Sequence, residues 1–171
     1  MSFDVYFLNR PADDDWDSAM TALADADGQE LILTSERLEL WNNVANELRR
    51  LLPDAEVFES ERVRELTDEG SGIQVSLFPG ELVLSVPYWH SGDEADQMVE
   101  LLRQLARAIE AASGLVAYDP QASAPFIGDG DATATSSFDL VHRSLAGPRE
   151  ENSDDGTAQQ SRSRWRRFFG S

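Results

Sequence analysis

Among its 171 residues the chain has no cysteine and no lysine, only two histidines and no long apolar run. The lack of cysteine rules out disulfides, thiolate zinc centres and thiol nucleophiles together. The lack of lysine rules out the Gly-x-x-x-x-Gly-Lys-Ser/Thr phosphate loop. Neither Gly-x-Gly-x-x-Gly nor Gly-x-Ser-x-Gly occurs, so the common nucleotide-binding and hydrolase readings lose their support, and no cofactor is implied. No stretch approaches the ~20 apolar residues of a membrane helix, which argues against integral membrane contact. The opening Met1-Ser2-Phe3-Asp4-Val5-Tyr6-Phe7 carries an acid at its fourth position and no preceding basic segment, unlike a secretory signal. The cytoplasm is therefore the expected location.

Positive charge is scarce as well. Thirty-two Asp and Glu face fourteen Arg, a net charge of −18. Phosphate binding draws its affinity from clustered cations, so nucleic acid is excluded as the expected partner of the body. Arginine-only usage with abundant Asp and Ala fits a GC-rich or salt-adapted genome and points to a bacterial or archaeal source. All 32 acids and ten of the arginines precede residue 162, giving that stretch −22 and residues 162–171 +4.

Apolar residues make up 41% and charged residues 27%, which suffices for one packed domain. In residues 3–9, Phe3, Val5 and Phe7 alternate with Asp4, Tyr6 and Leu8, the pattern of a strand. The acids Asp13, Asp14, Asp15 and Asp17 lead into a short helix over 16–26. Leu38, Trp41, Val44, Ala45, Leu48 and Leu51 recur at spacings of three and four and predict a helix over 35–52, capped by Thr34 or Ser35 and stopped by Pro53. Ile73, Val75 and Leu77, then Leu82, Leu84 and Val86, predict a hairpin around Pro79-Gly80, of type II or with a longer loop. Residues 55–66 are ambiguous between strand and helix. A second long helix spans 93–113, with Ser91 and Glu94 at capping-box spacing and Gly114 at the left-handed cap position, followed by a short strand over 115–118.

Strand, helix, strand, strand, helix, strand is the order of the ferredoxin-like, split βαβ arrangement. The expected fold is thus α+β: an antiparallel sheet with two helices on one face, an extra short N-terminal helix and a flexible C-terminal tail. The expected domains are 1–120 as the acidic α+β domain, 121–161 as a low-complexity linker or tail, and 162–171 as a basic aromatic segment. Tyr6, Leu8, Gln74, Phe78, Val83 and Ser85 would line the sheet face away from the helices, a candidate surface for homodimerisation or for a cover made by residues 55–66 or by the tail.

The most function-like loop is Pro87-Tyr88-Trp89-His90-Ser91-Gly92-Asp93-Glu94, where Asp93 or Glu94 could orient His90 as a general acid or base beside Tyr88. Helix starts also collect acids for electrostatic reasons alone. The runs at Asp13 to Asp17 and Asp25 to Gly28 invite cations, but neither has EF-hand spacing, and solvated acids are the expectation in so acidic a chain, so no metal site is assigned. At the C-terminal end, Trp165, Arg166, Arg167, Phe168 and Phe169 suit an anionic membrane surface, a partner groove or the chain's own acidic body.

Pro87-Tyr88-Trp89, together with Ser113-Gly114-Leu115-Val116-Ala117-Tyr118-Asp119-Pro120-Gln121, resembles a group of small bacterial proteins that share a Tyr-Trp pair before the second long helix and a Tyr-Asp-Pro-Gln strand ending. The resemblance spans residues 3–121. That group has no established activity, so it implies no site residues. The leading functional expectation is a non-enzymatic interaction module with a protein partner, a basic one being a candidate. The alternatives are a small-molecule enzyme using the loop 88–94 and a tail-dependent localisation or oligomerisation factor.

Overall fold

The computed structural model describes residues 2–13, 15–26, 32–88 and 93–127. They form seven strands and three helices: β1 (Ser2–Leu8), α1 (Trp16–Ala26), α2 (Ser35–Leu51), β2 (Glu56–Glu59), β3 (Arg64–Asp68), β4 (Ile73–Leu77), β5 (Leu82–Pro87), α3 (Asp93–Ser113), β6 (Val116–Asp119) and β7 (Ala124–Pro125). The strands make one antiparallel sheet in the order β2-β3-β4-β5-β1-β6-β7.

Four strands were expected, and the sheet has three more. The ambiguous stretch 55–66 belongs to a hairpin. Ser60 turns it, its Oγ accepting from the N–H groups of Arg62 (3.3 Å) and Val63 (3.0 Å) while its own N–H donates to the Val63 carbonyl (2.8 Å). The seventh strand lies past residue 120, where the Phe126 N–H donates to the Ala117 carbonyl (2.8 Å) and the ring, 8% exposed, joins the core. The turn at Pro79-Gly80 is not type II, because Gly80 does not take the positive φ that turn requires; a four-residue loop closes through Phe78 N–H to the Glu81 carbonyl.

Register explains the core. Val57, Leu66, Val75, Leu84 and Val5 stand opposite one another across five neighbouring strands. This apolar row lies under α2 and α3, whose Trp41, Val44, Leu48, Val99, Leu102, Leu105 and Ile109 complete the cluster. Burying each such side chain stabilises the fold by about 1.5–3 kcal/mol. Thr34 caps α2 by accepting from the Arg37 N–H (3.3 Å), and Gly114 ends α3 with φ +73°.

Candidate functional site

Strand alternation that sends one row into the core sends the next out the other side. On that outer face Phe58, Glu65, Ser76, Val83, Tyr6 and Tyr118 stand opposite one another from β2 to β6. The neighbouring row is Glu56, Thr67, Gln74, Ser85 and Asp4. Three carboxylates thus share the face, and no outward strand position carries Arg. Two of the acids are oriented by hydroxyls. Thr67 Oγ1 donates to Glu65 Oε1 (3.1 Å), Ser76 Oγ reaches Glu65 Oε2 at 3.5 Å, and Ser2 Oγ donates to Asp4 Oδ2 (3.1 Å). Phe58 is 46% exposed at the β2 edge. Burial first, then the charges of Asp4 and Glu81, push the Tyr6 phenol above its ordinary pKa.

One end of the face is roofed. Trp16, Ala19, Met20 and Leu23 of α1 pack with Tyr6, Leu8, Val116 and Tyr118, and the Trp16 indole stacks on the Tyr118 ring with centroids 5.2 Å apart and planes 10° from parallel. Asp15 caps α1, accepting from the Ser18 N–H (3.1 Å), and this hydrogen bonding lowers its pKa. One member of the acidic run therefore serves helix initiation. Val83, although only 9% exposed, belongs to neither the main core nor this small cluster.

Tyr88 and the Tyr-Asp-Pro-Gln segment meet at another end of the sheet. Gln121 Nε2 donates to the Tyr88 hydroxyl, Tyr88 lies edge-on to Phe3 at 6.4 Å, and Phe3 contacts Phe126 at 5.9 Å. Asp119 is 2% exposed, its Oδ1 accepting from the N–H groups of Gln121 (2.8 Å) and Ala122 (3.3 Å). Burial raises its pKa against those two donors. Burial also leads the upward shift of Tyr88, which moves the phenol away from service as a base at neutral pH. Tyr118 is shifted the same way, chiefly by burial.

Of the remaining loop candidates, Glu94 is exposed in the first turn of α3, while His90 and the Asp93 side chain lie outside the described residues, as do Trp165, Arg166, Arg167, Phe168 and Phe169. Among the described residues no three metal-ligating side chains converge. Between α2 and α3 runs an open furrow walled by Asn43, Asn46, Arg49, Arg50, Ala108 and Ala111, side chains that are exposed or half-buried. The outward Glu56, Phe58, Glu65 and Thr67 were missed by sequence reasoning. The signal available for them is short: Glu56 and Phe58 flank Val57, and Glu65 and Thr67 flank Leu66, on either side of a Ser-headed turn. No helix among the described residues is long and apolar enough to cross a membrane. Compared with protein-family models, with curated proteins and with solved structures, the chain finds no match.

Proposed function

We propose that the chain is a non-enzymatic protein-interaction module of the bacterial or archaeal cytoplasm, and that its outer sheet face binds a basic, aromatic-containing protein segment. The observation that carries this reading is the composition of the face: Asp4, Glu56 and Glu65 beside the exposed ring of Phe58 and the half-buried ring of Tyr6, with no outward cation on any strand. Carboxylates confer attraction and orientation on an incoming Arg or Lys, and the rings add cation–π and stacking surface. A second copy is a poor occupant, because a two-fold contact through this face would bring the three acids of each copy together. The reading of the middle strands as a split βαβ unit is supported by the order β4-β5-β1-β6 with α2 and α3 on one side, the β2-β3 hairpin being an insertion before β4.

The test is a titration of the isotopically labelled full chain with a short Arg/Trp peptide at low salt. Resonances of outward positions on β2 to β5 are expected to move, and the shifts to be lost in a D4N/E56Q/E65Q variant. Equal shifts over the acidic exteriors of α2 and α3, or none anywhere, would sink the proposal.

A further inference from the structure

The outer face has a candidate occupant within the same chain. We infer that residues 162–171 dock in cis on the outer sheet face, with Trp165, Phe168 and Phe169 gathered at the exposed Phe58 ring and the arginines against Asp4, Glu56 and Glu65, so that a basic partner must displace them. The inference rests on the functional reading of that face given above.

Charge complementarity selects this surface over the others. The segment carries +4 and no acid. The helical exterior is acidic too, but it mixes its carboxylates with Arg49, Arg50 and Arg107, which are exposed there and would repel the segment. The outward strand positions hold carboxylates alone, next to the most exposed aromatic ring among the described residues.

Reach also permits it. Thirty-four residues separate Ile127 from Arg162. At ~3.3–3.6 Å per residue they can span more than ~100 Å, whereas seven strands about 4.8 Å apart cover only ~30 Å. The described chain ends beside β7, at the edge opposite Phe58, so this margin is needed and is ample. Tethering presents the segment at an effective concentration up to about the mM range, so a weak site suffices to hold it. Its grip depends on charge and should weaken as salt shortens the Debye length from about 20–30 Å to a few Å.

The absence of cysteine makes the test direct. A nitroxide on G170C is the sole thiol adduct, and paramagnetic broadening of backbone amides in the full chain maps where the segment sits. At about 20 mM NaCl, broadening is expected over β2, β3 and β5 and not over the exteriors of α2 and α3; it should disappear in about 0.5 M NaCl and in an R164E/R166E/R167E variant. Broadening on the helices, no broadening, or broadening transferred to unlabelled copies in a mixed sample overturns the inference. A synthetic peptide of residues 162–171, added to the R164E/R166E/R167E full chain, separates the two failures. If the peptide shifts outward β2 and β3 resonances while the intact tail does not, docking in cis is wrong and the binding face survives; if neither does, both fall.

Discussion

Asp119 is the residue at which burial and charge conflict most directly. It keeps a carboxyl group at 2% exposure because two backbone N–H groups donate to one of its oxygens. Burial outweighs that help and raises its pKa. The folded state then binds this proton more tightly than the unfolded chain does. Its contribution to stability is full below the ordinary carboxylate value of ~3.9, falls as pH rises towards the raised folded value, and is flat above it. D119N keeps the acceptor and removes the charge. Urea melts across a pH series should show the variant more stable at pH 7, with the advantage vanishing towards pH 3; an unchanged pH slope would assign the effect to another group. Gly114 gives a simpler case. Its φ of +73° is costly for any residue with a Cβ, yet a Cβ there would meet nothing within 4 Å. G114A should therefore lose about 1–2 kcal/mol through backbone strain alone, with G114N recovering part of it in chemical denaturation.

At the scale of elements, the two aromatic anchors of the helices sit in cores of unequal size. Trp41 of α2 is 1% exposed in the main cluster, whereas Trp16 of α1 belongs to a cluster of three buried residues. Trp41→Ala should cost about 3–5 kcal/mol and accelerate amide exchange throughout β3, β4 and β5. Trp16→Ala should release α1 as a local unit, speeding exchange in residues 16–26 while leaving the central strands protected. Equal acceleration everywhere would mean that α1 is part of the main cooperative core. The same contrast explains what could be read in advance. Periodic apolar residues made α2, α3 and the 73–86 hairpin legible, because each buries a continuous stripe or row, whereas α1 was announced by the acids at its start. The β2-β3 hairpin was not legible, since each of its strands places one apolar residue over the core, Val57 and Leu66, among charged neighbours that satisfy no single period. Phe126 was hidden for a related reason: a single buried ring in a Ser/Ala/Pro context has no periodicity to announce it. The outer face inherited the first gap, because two of its three acids, Glu56 and Glu65, lie on that hairpin.

For the whole molecule, net charge sets two forces that salt should move in opposite directions. A chain at −18 repels itself, and the compact state concentrates that repulsion. Arg50–Glu47 is exposed on both sides, and Arg64–Glu59 and Arg103–Glu100 are long, at 3.9 and 4.0 Å, with exposed carboxylates; such pairs contribute about 0–1 kcal/mol each and do not compensate. Raising NaCl from about 10 mM to about 0.5 M shortens the screening length from about 30 Å to a few Å, so Tm should rise by a few degrees. Over the same range the attraction between the basic segment and the acidic face should be lost, and with it the paramagnetic broadening on β2, β3 and β5. A protein that becomes more heat-stable while releasing its tail is the signature of repulsion within the body and attraction between body and tail. A Tm that falls with salt would mean that the surface pairs outweigh the repulsion, and that net charge does not draw a basic ligand to this body.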